Sequence, residues 1–300
     1  MRAVVTGGAG FIGSNLTDAL LARGDEVTVV DNLATGKREF VPDGAEFREQ
    51  DVRGELDFTG ADAVFHLAAQ ADVQTSMQRP SYDADVNVVG SVRVLEAATA
   101  AGAQVLFAST GGAIYGECAE PAREDRELHP LSPYGIAKLC VEQYLEGWNR
   151  IHGASHVALR FANVYGPRQD SSLEGGVVSI FLERMLRGES TTIFGDGDQS
   201  RDFVYVGDLV DALLATVGRS GGPYNVGSGR ETTIAELHRA CAAVAGVDAP
   251  PHTEPARLGD VQRSVLSVDR IERELGWRAQ TSLDDGLRRT WDWLRDPDAA

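Results

Sequence analysis

The sequence predicts an α/β protein with a doubly wound parallel sheet and a smaller mixed lobe at its C-terminal end. Two observations predict this fold. Short, nearly continuous apolar runs alternate with longer stretches of helical period up to about residue 165. Strands covered on both faces need such runs, and strand–helix alternation indicates parallel strands joined by right-handed crossovers. Beyond that point the regular alternation stops.

The elements follow in chain order. Strands are predicted at 3–6, 26–31, 63–68, 105–109 and 156–161, and helices at 12–23, 85–101 and 134–152. A loop rich in Gly, Pro and Ser follows at 163–176. Later elements are a strand at 203–206 and helices at 177–187, 208–217, 268–275 and 282–294. A further helix, which ends at residue 245, opens on the capping box Thr233-x-x-Glu236. We expect one domain over 1–165 and a lobe over 166–300, with segments near 200–228 returning to the first domain.

The 300 residues carry a formal net charge of −17. This charge argues against a nucleic-acid partner, because counterion release needs a basic face, and against an anionic membrane surface. No apolar stretch approaches the length of a membrane span. The cysteines, Cys118, Cys140 and Cys241, are too few for a disulfide framework and lack zinc-site spacing, so we expect a cytoplasmic protein without a metal.

A glycine-rich loop separates the first strand from the first helix, with Gly7, Gly10 and Gly13 in the run TGGAGFIG. Glycine lets backbone N–H groups approach a diphosphate, and the helix N-terminus adds positive partial charge. Asp31 ends the second strand, where a carboxylate binds ribose hydroxyls and repels a 2′-phosphate. The pattern predicts a Rossmann-like site for NAD rather than NADP, although Lys37 and Arg38 leave NADP open. An ordinary turn and a solvated strand end are the alternatives.

Tyr134 and Lys138 lie four residues apart at the start of a helix and hence on one face. A lysine cation nearby favours the phenolate, so we expect Lys138 to lower the pKa of Tyr134 toward the range of a useful base. Ser109 and Thr110 end a strand at the carboxyl edge of the sheet, where such sheets bind ligands. The alternatives are a polar surface pair and simple strand-end capping.

A set of motifs in a fixed order carries a family resemblance over nearly the whole chain. The motifs are the glycine loop, Asp31, Asp51-Val52, His66-Leu67-Ala68-Ala69, Asn87, Ser109-Thr110, Tyr134, Lys138, Arg160-Phe-Ala-Asn163-Val-Tyr-Gly-Pro167, Gly195-Asp-Gly197, Arg201-Asp202-Phe203 and Arg257-x-Gly-Asp260. With these motifs the sequence resembles the extended short-chain dehydrogenases/reductases and, within them, the nucleotide-sugar 4-epimerases related to UDP-glucose 4-epimerase.

The resemblance implies a role for each matching residue. Thr110, Tyr134 and Lys138 would be catalytic. NAD would be bound by Gly7, Gly10, Phe11, Ile12, Gly13, Asp31, Asn32, Asp51, Val52, Leu67, Ala68, Ala69, Asn87, Ser109, Tyr134 and Lys138. The nucleotide sugar would be bound by Thr110, Tyr134, Asn163, Val177, Val178, Arg201, Arg257 and Asp260. Surface ion pairs are the alternative for the two arginines.

The implied reaction is inversion of C4 of a UDP-sugar through a transient 4-keto sugar, with Tyr134 taking the proton of the 4-hydroxyl. Relatives that dehydrate or decarboxylate the sugar place acidic side chains just after the catalytic hydroxyl, whereas Gly111-Gly112-Ala113-Ile114 follows Thr110 here. Glu117 keeps those reactions open, and Ser109 remains an alternative to Thr110. Ser264 is either a gatekeeper that admits N-acetylhexosamines or a surface serine. UDP-glucuronate also stays open as a substrate.

The sequence also bears on a non-catalytic function and on the assembly state. A non-catalytic NAD sensor on the same fold would be expected to lose Tyr134, Lys138 or the arginines, and all are present. His66 is expected to pack at a strand end. Helices 85–101 and 134–152 resemble the family's dimer-forming pair, which suggests a homodimer, with core packing as the alternative. Their apolar faces carry Val88, Val92, Leu95, Val141, Leu145 and Trp148.

Overall fold

The computed structural model describes residues 1–171, 176–248, 250–256 and 261–297. Its strands are Arg2–Thr6 (β1), Glu26–Asp31 (β2), Glu46–Glu49 (β3), Ala63–His66 (β4), Gln104–Thr110 (β5), Val157–Phe161 (β6), Asn163–Tyr165 (β7), Thr192–Phe194 (β8), Ser200–Arg201 (β9), Phe203–Tyr205 (β10), Tyr224–Val226 (β11), Thr232–Thr233 (β12), His252–Glu254 (β13) and Arg263–Ser264 (β14).

The helices alternate with these strands. They are Phe11–Ala22 (α1), Val73–Gln78 (α2), Pro80–Ala84 (α3), Gly90–Ala101 (α4), Gly111–Ile114 (α5), Pro133–His152 (α6), Val177–Leu186 (α7), Val206–Ala215 (α8), Ile234–Ala245 (α9), Asp269–Leu275 (α10) and Leu283–Arg295 (α11). A 3₁₀ turn covers Arg38–Phe40, and a π-helical turn over Asp85–Val89 joins α3 to α4. The capping box at Thr233 and Glu236 opens α9.

Within the described residues, a seven-stranded sheet has the order β11-β6-β5-β4-β1-β2-β3, and all its neighbouring strands are parallel. The predicted fold class is therefore confirmed. The chain crosses from one side of β1 to the other between β3 and β4. This places the topological switch point at the carboxyl ends of β1 and β4, where doubly wound sheets bind dinucleotides.

Apolar side chains cover both faces of the sheet. On one face, Val5, Phe65, Leu106 and Leu159 pack with residues of α1 and α8, and on the other Val64, Val105 and Phe107 pack with residues of α4 and α6. Alternate residues of one strand thus reach opposite layers, as the strand period requires. This two-sided burial explains why the central strands are nearly continuous in apolar residues.

A second apolar core lies in the C-terminal part of the chain. It contains Phe181, Leu182, Leu237 and Leu287, which bring α7, α9 and α11 together. Two later segments return to the large sheet: β11 pairs with β6, and α10 packs Ile271 against the core beneath that edge. The division at residue 165 stays a prediction. Across the described residues, no helix combines the length and apolar character needed to cross a membrane.

Candidate functional site

The glycine loop forms a tight cradle at the end of β1. Gly7 has φ +73°, and a Cβ built on it would lie 2.6 Å from the backbone nitrogen of Ala68. A Cβ on Gly13 would lie 2.1 Å from the Gly7 carbonyl oxygen. Helix α1 begins directly after Gly10, and within the described chain no side chain caps that terminus and no acidic residue lies in its first turn, which starts with Phe11 and Ile12. The N-terminus is therefore suited to a diphosphate.

Asp31 fixes this loop from the end of β2. Its carboxylate accepts backbone hydrogen bonds from Ala9 at 3.0 Å and from Leu33 at 2.8 Å. Because a carboxylate has about four acceptor positions, Asp31 retains capacity for ribose hydroxyls. The same carboxylate thus holds the glycine loop in place and presents negative charge where a 2′-phosphate would lie.

A polar cluster lies beyond β3, where the adenine is expected. Asp51 accepts hydrogen bonds from Asn32 Nδ2 at 2.9 Å and from the Arg53 guanidinium at 2.7 and 2.8 Å. These bonds hold the pKa of Asp51 well below its usual range. Arg53 also contacts Asp85, while the side chain of Val52 is buried in the core. The cluster gives this end of the site a rigid wall.

The segment after β4 forms the opposite wall of the cradle, with Leu67 and Ala68 beside Gly7 and Ala69 next in the chain. Leu67 N–H donates to the Thr6 carbonyl at 3.0 Å, and Ala68 N–H donates to the Thr6 hydroxyl at 3.3 Å. His66 is buried beneath them, and its ring nitrogens lie 2.7 Å from the Thr6 hydroxyl and 2.8 Å from the Ser91 hydroxyl. Burial lowers the pKa of His66 to about 3. The ring is neutral and holds the strand end, as expected for packing.

Asn87 holds the next part of this wall. Its side-chain oxygen accepts from Gln70 N–H at 2.9 Å, and its amide nitrogen donates to the Gln70 carbonyl at 2.9 Å. The same amide donates to Asp83 at 3.0 Å. The Asn87 amide is therefore committed to the protein, and this residue supports the cofactor wall from behind.

Thr110, Tyr134 and Lys138 converge at the carboxyl end of β5. The Thr110 hydroxyl lies close enough to that of Tyr134 to favour its phenolate and lower its pKa. The Lys138 ammonium donates to the Ala108 carbonyl oxygen at 2.8 Å and lies 5.7 Å from the centre of the Tyr134 ring. Ser132 caps α6 by accepting from Gly135 N–H, which fixes the first turn that presents Tyr134.

The pKa of Tyr134 differs from the expectation. Burial and the negative charge of Asp83 together raise this pKa to about 12, although the Thr110 hydroxyl acts in the opposite direction. The expected lowering by Lys138 is not found, and burial determines the direction of the shift. Burial also lowers the pKa of Lys138 to about 8, while Asp83 opposes that change. Lys138 is thus still mostly protonated at neutral pH.

Asp83 is a site residue that the sequence analysis missed. It is fully buried in α3, and its Oδ1 accepts from Gln70 and Asn87 while its Oδ2 has no partner among the described residues. Burial raises the pKa of its carboxyl. Its charge acts on both Tyr134 and Lys138. The sequence signal was the four-residue spacing from Asp83 to Asn87, which puts both on one helical face.

Ser109 and Thr110 point to different partners. Ser109 is a buried residue, and its hydroxyl donates a short hydrogen bond to Glu142 on α6. Only its main chain is left for the predicted contact near the nicotinamide. This arrangement favours Thr110 as the hydroxyl that shares the substrate oxygen with Tyr134.

Asn163 and Arg201 lie on the side of the site that faces the second lobe. The side-chain oxygens of Asn163 and Thr110 both lie 4.0 Å from the position that a Cβ would take on Gly112, so they border one space. Arg201 is on β9, and Ser264 is its direct neighbour in register on β14. Asp202 joins these segments, because its backbone bonds to both Asn163 and Ser264.

The remaining substrate-binding predictions have different outcomes. Val177 begins α7 and is partly exposed, whereas the Val178 side chain is buried in the core of the second lobe, which leaves its main chain for the nucleotide. Arg257 and Asp260 lie outside the described residues. The structure therefore places Asn163, Val177 and Arg201 but says nothing of the predicted second phosphate arginine.

Comparison with known proteins places this site in a family. The sequence profile of the NAD dependent epimerase/dehydratase family matches residues 3–227. The chain belongs to this family. The resemblance to the extended short-chain dehydrogenases/reductases and the prediction of NAD as the cofactor are thereby confirmed at the level of the family.

Relatives of this epimerase/dehydratase chain match it over nearly its whole length. The UDP-glucose 4-epimerase of Mycolicibacterium smegmatis is 44% identical, with 99% of each chain covered. The structure of UDP-glucose 4-epimerase with UDP-glucose from Thermotoga maritima is 44% identical, has a TM-score of 0.95 and also covers 99% of each chain. The Thermus thermophilus UDP-glucose 4-epimerase complex with NAD is 43% identical, with a TM-score of 0.92 and the same coverage.

Proposed function

We propose that this chain is an NAD-dependent UDP-sugar 4-epimerase that interconverts UDP-glucose and UDP-galactose. The observation that carries the proposal is the convergence of Thr110, Tyr134 and Lys138 beside a dinucleotide cradle in a chain 44% identical to UDP-glucose 4-epimerases. A non-catalytic NAD sensor would not need a buried lysine whose ammonium lies beside a tyrosine ring.

The residues present fit NAD. The cradle formed by Gly7, Gly10 and Gly13 excludes side chains where a diphosphate needs close backbone approach. Asp31 would bind the adenosine ribose, and the Asp51 cluster with Asn32 would border the adenine. Lys138 would bind the nicotinamide ribose with the donors that Ala108 does not use. The chemistry that NAD supplies when bound is reversible hydride transfer at C4 of the sugar.

The protein's own part of the reaction is proton transfer at the 4-hydroxyl. Tyr134 takes the proton through its phenolate oxygen, and Thr110 holds the same substrate oxygen by a hydrogen bond. Because burial raises the pKa of Tyr134 to about 12, ionisation at neutral pH needs added positive charge at the site. The Lys138 ammonium, which its hydrogen bond to Ala108 keeps in place, does not offset the burial of Tyr134 by itself, so the further positive charge would have to come with the bound ligands.

The segment after Thr110 favours epimerisation over dehydration or decarboxylation. Those reactions need a further acid and base near the sugar, and Gly111, Gly112 and Ala113 supply none. Glu117 is the nearest acidic residue that follows. Its carboxylate accepts the backbone N–H groups of Gln262 and Arg263, each at 2.9 Å, and so serves to hold β14.

The substrate side suggests tolerance at the 2-position of the sugar. Ser264 is small, partly buried and next to Arg201 in register. If Arg201 binds the diphosphate, a small side chain at its register neighbour Ser264 would suit a substrate with a bulky 2-substituent. We therefore include N-acetylhexosamines among the proposed substrates. UDP-glucuronate is the alternative substrate.

We also propose that the protein is a homodimer and is located in the cytoplasm. Of the six residues that the sequence analysis singled out, Leu95, Val141 and Leu145 are core residues, whereas Val88, Val92 and Trp148 are partly exposed. Other apolar residues of the same region are exposed: Val89 by 45%, Ile136 by 56% and Tyr144 by 39%. A second copy would cover them, and Ile136→Glu should shift the protein toward a monomer in sedimentation. The three free cysteines fit a reducing compartment.

The experiment that tests the function is incubation of the purified protein with separate UDP-, dTDP- and GDP-sugars, followed by separation of C4 epimers. The proposal predicts conversion of UDP-glucose and UDP-galactose in both directions without net consumption of NAD. Conversion of a dTDP- or GDP-sugar alone, or formation of a dehydrated or decarboxylated product, would contradict it.

A further inference from the structure

Helix α6 carries a third polar residue on the face that presents Tyr134 and Lys138. Glu142 follows Lys138 by one helical turn, is 7% exposed, and lies under the end of β5. Its carboxylate pairs with Arg160, which donates from Nε at 3.0 Å and from Nη2 at 2.7 Å. Arg160 is 4% exposed on β6. A fully desolvated ion pair is seldom a net gain in stability, so its use must be sought in what it holds.

The ion pair holds the segment 109–115 at both ends. At the start, the Ser109 hydroxyl donates to Glu142 Oε1, and Ser109 is the register neighbour of Arg160 across β5 and β6. At the end, the Tyr115 hydroxyl accepts from Arg160 Nη1 at 2.7 Å. The same hydroxyl donates to Asn225 Oδ1 at 2.7 Å.

Thr110 lies between these two attachments. It directly follows Ser109 as the last residue of β5 and precedes the short helix α5, whose residues Gly111–Ile114 lead into Tyr115. Its own hydroxyl borders the same space as Asn163 and acts on the Tyr134 hydroxyl. The ends of the segment are fixed to α6 and β6, and α6 also carries Tyr134. The distance between the Thr110 and Tyr134 hydroxyls is therefore set by contacts that neither side chain makes itself.

We propose that Glu142 and Arg160 are positioning residues that set the Thr110 hydroxyl against Tyr134. They do so by fixing Ser109 and Tyr115 on either side of it. The proposal rests on the proposed function in so far as Thr110 and Tyr134 act on the 4-hydroxyl. Misplacement of a reacting group by about 1 Å can cost about 100-fold in rate, so loss of either attachment should slow turnover while leaving the nucleotide contacts intact.

The kinetic test removes each attachment with little loss of volume. Ser109→Ala and Tyr115→Phe are each made in the wild type and in Thr110→Ala. In the wild-type background we expect kcat to fall about tenfold or more, with KM for the UDP-sugar changed less than about twofold. In the Thr110→Ala background the same substitutions should have no further effect on kcat, because the hydroxyl they position is gone.

Equal losses of kcat in both backgrounds would overturn the proposal, because they would show a general structural effect. Unchanged kcat in the wild-type background would overturn it as well. Tyr224→Phe is the matched control, because Tyr224 on β11 is also a buried tyrosine. Its hydroxyl donates to the Glu274 carboxylate at 3.0 Å. It should lower stability without lowering kcat.

A crystallographic readout separates this proposal from the proposed function. In crystals of the wild type, the Thr110 and Tyr134 hydroxyls should be within hydrogen-bond distance, and in the Ser109→Ala/Tyr115→Phe double variant that bond should be lost. An intact bond in the double variant overturns the positioning role. A wild type that converts no UDP-sugar would overturn the function and leave this structural result standing.

Discussion

The Lys138 ammonium lies 5.7 Å from the centre of the Tyr134 ring, one turn further along the same helix. At this distance the cation does not offset burial, and the pKa of Tyr134 is raised to about 12. The negative charge of Asp83, which is fully buried in α3, acts to raise the pKa of both Tyr134 and Lys138. The acid–base behaviour of the site is therefore a property of these three residues together.

Tyr134→Phe should abolish most turnover. The substitution removes only the hydroxyl that takes the proton, so the protein should fold and retain NAD, while kcat falls by about 10²–10⁴-fold, the usual contribution of a general base. Single-turnover measurements with UDP-galactose check this. Tyr144→Phe, a surface tyrosine of the same helix, is the control and should leave kcat unchanged. A Tyr134→Phe enzyme as fast as the wild type would rule out the assigned base.

Asp83→Asn should shift the pH dependence of kcat toward lower pH. The Asp83 charge raises the pKa of both Tyr134 and Lys138, so its removal lowers both. Tyr134 then ionises at lower pH, and Lys138 also loses its charge at lower pH, so both limbs of the profile move in one direction. Asp85→Asn, an exposed carboxylate two residues away, is the control. A shift toward higher pH would contradict the assigned charges.

Asp31→Asn should weaken NAD binding about tenfold or more and reduce the discrimination against NADP. The amide keeps one acceptor oxygen, whereas the Asp31 carboxylate uses both of its oxygens to hold the backbone of Ala9 and Leu33. The substitution also removes the negative charge that repels a 2′-phosphate. Titration of the apoprotein with each dinucleotide measures both effects, with Asp18→Asn on α1 as the control. Equal loss of affinity in the control variant would count against a specific role for Asp31.

Gly7→Ala should destabilise the protein more than Gly24→Ala does. Both glycines have positive φ, +73° and +83°, so both variants bear the left-handed cost of about 1–2 kcal/mol. Only at Gly7 does the new Cβ meet backbone, 2.6 Å from Ala68 N, while nothing lies within 4 Å at Gly24. Overpacking adds about 1–3 kcal/mol. Chemical denaturation gives the two free energies of unfolding, and equal values would contradict the tight packing of the loop.

The parts of the fold that the sequence predicted are those governed by local pattern. The buried central strands and α1 were located within two residues, because burial on both faces leaves a continuous apolar run. Strand β3 was missed, since Glu46–Glu49 is a charged and partly exposed edge strand. Helix α3 was missed because it has only five residues, which is too short for a helical period to be recognised.

The site was predictable where motif spacing places residues and less so where distant segments meet. Thr110, Tyr134 and Lys138 were named from their positions along the chain. The pKa of Tyr134 was not predictable in the same way, because it depends on burial and on Asp83, about fifty residues earlier. Glu142 could have been found, since Tyr134, Lys138 and Glu142 recur at helical spacing on one face.

The most direct test of the central claim is the conversion of UDP-galactose by the purified protein, followed by separation of the UDP-hexoses over time. We predict an approach to an equilibrium mixture with UDP-glucose, reached from either sugar, without accumulation of NADH. Absence of UDP-glucose after prolonged incubation with NAD present would contradict the account.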